Sequence, residues 1–213
     1  MSRAETLRSL YGLANASLEP ANTALVLIDL QRELVEGRLR VDGAARAIGR
    51  AAALRDAADE AGVLVVAVQN VAARADSPLF AESDPHTRFV EALVPRAIDL
   101  QITKRMAGAF TAADLHDRLR ARGITDLVLA GFMTHLAVDC TARDATVLGY
   151  RVVIAADACA TRDLPARDGA VVRAHDLHRA ALAALADRFA WVTDADAIVE
   201  RWATQLRGRR ASP

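Results

Sequence analysis

Between Ala24 and Thr193 short apolar runs alternate with longer stretches of helical period, and this alternation limits the possible folds more than any other feature. The runs are ALVLIDL (24–30), VLVVAVQ (63–69), IDLQITK (98–104), DLVLAG (126–131), RVVIAAD (151–157) and WVT (191–193). Most are too apolar and β-branched to leave one face in water, which marks strands of a parallel sheet covered by helices. The intervening segments supply those helices. In 41–62, Ala44, Ala47, Ile48, Ala51 and Leu54 fall on one stripe, and Gly62 ends the segment as a C-terminal glycine would. Segments 113–123, 135–149, 172–189 and 194–206 read the same way. Strand-then-helix order with right-handed crossovers gives a three-layer α/β/α, Rossmann-like domain.

The chain of 213 residues shows no repeat, linker or break in composition, so one domain is expected, with residues 1–20 as an N-terminal extension and 207–213 as a frayed tail. Lys plus Arg and Asp plus Glu number 27 each, so the overall charge gives no reason to bind nucleic acid or an anionic membrane. The basic cluster of Arg207, Arg209 and Arg210 falls in the expected tail. No run approaches a membrane span, and the N-terminus lacks the apolar core of a signal peptide, so a cytoplasmic location is expected. Cys140 and Cys159 are too few for a disulfide scaffold and lack metal-ligand spacing. They are expected to be buried filler.

In parallel α/β sheets ligands bind beyond the carboxyl ends of the strands. Asp29 follows the first run, Lys104 closes the third, and the turn GFMTHLA follows the fourth. Each is weak alone, since an Asp there commonly caps a turn and a lone Lys is commonly solvated. Their convergence on one sheet edge is the stronger signal. The irregular segment 71–87 is expected to loop over that edge.

The order IDLQ, ITKxxxGAF, LVLAGFMTHxxVxxTARDA, VVIAADACATRD and LHRAALAALADRFA resembles the isochorismatase-like hydrolases, from about Thr23 to Thr193. The resemblance implies a six-stranded parallel sheet and a catalytic set of Asp, Lys and usually Cys. The Asp matches Asp29, the Lys matches Lys104, and the Cys position holds Ala137. It also implies a cis peptide at Phe132–Met133 and an oxyanion hole formed by the Met133 and Ala137 amides. Gln31, Phe132, Thr134 and His135 are the expected substrate contacts, although Gln31 could equally orient Asp29 and His135 could equally bond a neighbouring loop. Leu34 and Gly108 depart from the family's usual Phe and Ser. QNVAARAD lacks the Asp-x-His pattern of the nicotinamidases, Asp76 stands alone and His86 lies well beyond. Neither a metal nor a cofactor is expected.

Ala137 leaves three readings open. The site could be a cysteine amidohydrolase's with its nucleophile replaced. It could be thiol-free, as in true isochorismatases, with Asp29 protonating an enol ether. It could also bind a small molecule without chemistry. Cys140 sits one turn, about 5 Å, too far along to substitute. Arg143 is expected to pair with a carboxylate, His175 and His178 to sit at a subunit contact, and Trp191 and Trp202 in a core or interface. The stripe Ala180, Leu182, Ala183, Leu185, Ala186 suggests a homo-oligomer, dimer or tetramer.

Overall fold

A computed structural model describes residues 4–211. Its main sheet contains β1 (Thr23–Ile28), β2 (Leu64–Asn70), β3 (Leu100–Lys104), β4 (Asp126–Phe132), β5 (Arg151–Ala160) and β8 (Trp191–Thr193). These six strands lie in the order β3-β2-β1-β4-β5-β8, all pairs parallel. A small hairpin, β6 (Leu164–Pro165) with β7 (Val171–Val172), follows β5. The helices are α1 (Leu7–Leu10), α2 (Ala44–Ala61), α3 (Leu115–Arg120), α4 (Asp139–Val147), α5 (Ala174–Arg188) and α6 (Ala195–Ala211).

The central strands are buried on both faces, and the alternation of their side chains divides the core in two. Leu25 and Leu27 of β1 point to one side with Val128 and Val153, beneath α2 and α6. Ala24, Val26 and Ile28 point to the other with Leu127 and Leu129, beneath α4 and α5. On α2, Ala47, Ala51, Leu54 and Ala58 form the buried stripe, and small residues there let the helix approach the sheet closely. Gly62 stops the helix at φ +72°, where its amide meets the Ala58 and Asp59 carbonyls.

The C-terminal segment differs from expectation. Helix α6 continues through Ala211, so Arg207 and Arg209 sit on helical turns and not in a frayed tail; residues 212–213 lie outside the described residues. The helix is held by Trp202, which is fully buried and donates from Nε1 to the Leu18 carbonyl at 3.2 Å. This also ties the N-terminal extension to the core. Trp202→Ala should cost about 3–5 kcal/mol in a chemical denaturation measurement, because it opens a cavity and orphans that carbonyl. A loss below about 1 kcal/mol would show that α6 is not part of the cooperative unit.

On α5, Leu182 and Leu185 cover the protein's own core while Ala180 and Ala183 remain exposed. Arg143 pairs with Asp139 at 2.5 Å and lies over the Phe189 ring.

Candidate active site

The chain leaves β1 through Asp29, whose φ of +51° is unusual for a residue with a side chain. Its amide donates to the Val68 carbonyl at 3.0 Å, which keeps the bend against the end of β2. The Asp29 carboxylate is almost fully buried. Lys104 ends β3, where Leu100 and Ile102 face inward and alternation sends the Lys104 side chain the same way. From there it crosses the end of β2 to Asp29, and Nζ stands 2.7 Å from Oδ2. A second bond from Nζ reaches the Met106 carbonyl at 3.1 Å.

Asp29 Oδ1, by contrast, is buried with no hydrogen-bond partner. Burial raises the Asp29 carboxyl from its usual value to about 6, against the charge and hydrogen bond of Lys104, which act to lower it. The site therefore holds a carboxyl group that can change protonation near neutrality.

Beyond β4, the Phe132–Met133 peptide is cis, and Thr134–Val138 form a wide π-helical turn that leads into α4. The Leu136 and Val138 amides both donate to the Met133 carbonyl, at 3.0 and 3.2 Å. Such turns concentrate at functional sites. Ala137 is buried here and reaches the floor of a cavity of about 220 Å³ shared with Asp29 and Lys104. The cavity wall is mostly apolar, with Leu34, Leu39, Phe80, Met106, Phe132 and Leu136. A larger groove of about 770 Å³ beside Ile48, Phe89 and Gln101 contains none of the three expected catalytic positions. The smaller cavity is the one that brings Asp29, Lys104 and Ala137 together.

Three expected substrate contacts point elsewhere. Gln31 is fully buried and spends its amide on backbone, donating to the Asn70 and Thr87 carbonyls at 2.9 and 2.6 Å and accepting from the Asn70 amide at 2.9 Å. The Thr134 hydroxyl bonds His178 Nδ1 at 2.8 Å, so His178 supports the turn from behind. His135 bonds the Thr161 hydroxyl. Phe132 and Met133 do line the cavity, together with Asn70 and Arg105, which the sequence reading passed over. Both lie at strand ends, so the rule that found Asp29 and Lys104 could have found them.

Neither cysteine offers a reactive thiol to this cavity. Cys140 lies outside the cavity lining, and burial, Asp139 and Asp144 all raise its pKa. Cys159 is buried and pushed up to about 12. Both stay protonated and weakly nucleophilic at neutral pH.

Folding brings His86 beside Glu33 and Asp84, with one ligand atom from each within 4.8 Å of the others, closer company than its place in the sequence suggested. Glu33 Oε1 already accepts the Arg38 and Leu39 amides, and Asp84 Oδ1 accepts the His86 amide. This trio is not part of the cavity wall around Ala137.

The fold and site define a parallel α/β protein with a cavity of about 220 Å³ built around a buried carboxylate–ammonium pair. A model of the isochorismatase domain matches residues 23–197, and the chain belongs to that family of hydrolases. The secreted isochorismatase effector Isc1 of Verticillium dahliae is 30% identical over 184 residues, 86% of this chain and 94% of that protein. The ureidoacrylate amidohydrolase of Methylobacterium radiotolerans is 29% identical, across 84% of this chain and 78% of its own. A cysteine hydrolase from Pseudomonas syringae pv. phaseolicola superposes with a TM-score of 0.86 at 26% identity, covering 96% of this chain and all of that one.

Proposed function

We propose that the cavity is the substrate site of a C–N hydrolase acting on small amides or ureido compounds, with its nucleophile position occupied by Ala137. The observation that carries this reading is that Asp29, Lys104 and Ala137 line one cavity, around an alanine that has no reactive atom. The amidohydrolase and the cysteine hydrolase among the relatives support it.

In such a site a thiolate at position 137 attacks the carbonyl carbon and the C–N bond breaks. Asp29, which takes the proton from the thiol, passes it to the departing nitrogen. Water, giving a proton to Asp29, then cleaves the thioester to a carboxylic acid, and that proton returns to the freed sulfur. The Met133 and Ala137 amides would hold the oxyanion. They are not among the amides committed to the Met133 carbonyl, and as backbone donors they do not depend on the side chain at 137.

The chain with Ala137 should therefore bind substrate and turn it over several orders of magnitude more slowly than its Ala137→Cys variant. Assaying both against small amides, ureido acids and isochorismate tests this. Amide turnover confined to Ala137→Cys supports the reading. An Ala137→Cys variant that stays folded and inactive on the whole panel refutes it.

One observation favours a second reading. A carboxyl group near 6 with an unpartnered oxygen is suited to deliver a proton. Asp29 would then protonate an enol-ether carbon and water would complete the cleavage, without any thiol. Isochorismate turnover by the Ala137 form, abolished by Asp29→Asn, would establish this route instead.

A further inference from the structure

We propose that the cavity takes a small carboxylate and that Arg105 is the side chain that recognises its charge. The inference rests on reading this cavity as the substrate site, and it concerns which molecules enter rather than how they react.

The charges on the wall are few. Asp29 and Lys104 are paired with each other, so neither offers an uncompensated charge to a ligand. Arg105, next in the chain after Lys104, is the remaining charged residue of the wall. Among the described residues it has no carboxylate within ion-pair distance. Its one hydrogen bond runs from Nη1 to the Ala72 carbonyl at 2.7 Å.

That bond anchors the guanidinium on the loop that also carries Phe80, since the Ala72 amide in turn donates to the Phe80 carbonyl at 2.8 Å. Nε and Nη2 are left as donors on an exposed side chain that this one bond tethers at the cavity rim. A guanidinium held this way is suited to a planar carboxylate, which accepts two parallel hydrogen bonds.

The rest of the wall defines the remainder of the ligand. With an ionised Asp29 the wall carries one net positive charge, and a single carboxylate on the ligand brings the sum to zero. Leu34, Phe80 and Leu136 would pack against an apolar body. A cavity of about 220 Å³ is smaller than the usual pocket for a drug-sized ligand, so that body must be compact.

The test reads binding to the protein as it stands, with Ala137 in place. Short N-acyl and N-carbamoyl amino acids are titrated by calorimetry or ligand-observed NMR, each beside its own primary carboxamide. The carboxylates should bind about tenfold or more tightly than their carboxamides. Arg105→Gln should erase that preference by weakening the carboxylate far more than its carboxamide, and Arg105→Lys should restore part of it.

Equal affinity within the pairs overturns the proposal, as does a preference that survives Arg105→Gln or a panel in which no carboxylate binds at millimolar concentration. If Arg105→Gln weakens both members of a pair alike, Arg105 is a loop anchor and the proposal fails. The two readings of the site fail separately. An inert Ala137→Cys variant that still prefers carboxylates removes the chemistry and leaves this inference standing, whereas turnover of neutral amides with no preference for acids does the reverse.

Discussion

Gly131→Ala is expected to remove more than about 4 kcal/mol of stability, enough to leave little folded protein. Gly131 pairs with Ile28 where β4 runs beside β1, and it does so at φ +136°. A Cβ built there would stand 2.0 Å from the Ile28 carbonyl oxygen and 2.8 Å from its carbon and nitrogen. All three are backbone atoms of a central strand, so no rotamer change relieves the clash. The backbone conformation is itself one that an L side chain rarely adopts. Together these effects should exceed an ordinary overpacking cost of about 1–3 kcal/mol. Gly49→Ala is the control: it lies inside α2 with nothing within 4 Å of an added Cβ, and should stabilise by about 0.5–1 kcal/mol. Comparable denaturation midpoints for the two variants would show that β4 can move away from β1, and that the site is not rigidly mounted there.

Much of this framework could be read from the sequence because burial on both faces leaves a plain record. TALVLI has no polar position after its first residue, and a strand of that kind fits only the interior of a covered sheet. Lys104 could be picked out for the opposite reason, as a charged residue that directly follows an apolar run and precedes a loop of small residues. Contacts made at long range left no such record. The partners of the Gln31 amide are 39 and 56 residues away in the chain, and nothing near Gln31 announces them.

The turn after β4 hid its geometry as well. A helix of ordinary pitch starting at His135 was the natural reading of the pattern, but the first turn is π-helical, with the Asp139 amide donating to the Thr134 carbonyl five residues back. Thr134 and His135 bond to His178 and Thr161 there and not to the cavity. Neither Phe80 nor Leu39 lies at a strand end or on a periodic stripe, so their places in the wall follow from loop packing alone. The strand ends marked Asp29, Lys104 and the turn at Ala137, which line one cavity, and the rest of that cavity's wall depended on tertiary structure.

Lys104→Met should destabilise the protein by about 3–5 kcal/mol at about pH 8, and by much less at about pH 5. Methionine keeps most of the volume of the lysine stem, so the change removes a charge without opening a large cavity. What remains is the buried Asp29 carboxylate with its counter-charge gone and Oδ1 already unpartnered. Lys104 is the group that holds the Asp29 carboxyl down against burial, so its loss must raise the folded-state value above the present figure of about 6. A carboxyl whose pKa is raised by folding contributes stability that is complete below its unfolded value and is lost as pH rises through the folded one. In the native protein that loss is finished soon above pH 6, whereas in the variant it continues up to the new, higher value. The gap between the two proteins therefore widens as pH climbs above about 6 and narrows as pH falls back through that window, because the variant's Asp29 neutralises itself by taking up a proton. Urea denaturation of both proteins at the two pH values measures this difference. An equal penalty at both would mean that Asp29 does not titrate in that range, removing the basis for its action as a proton carrier in either reading of the site.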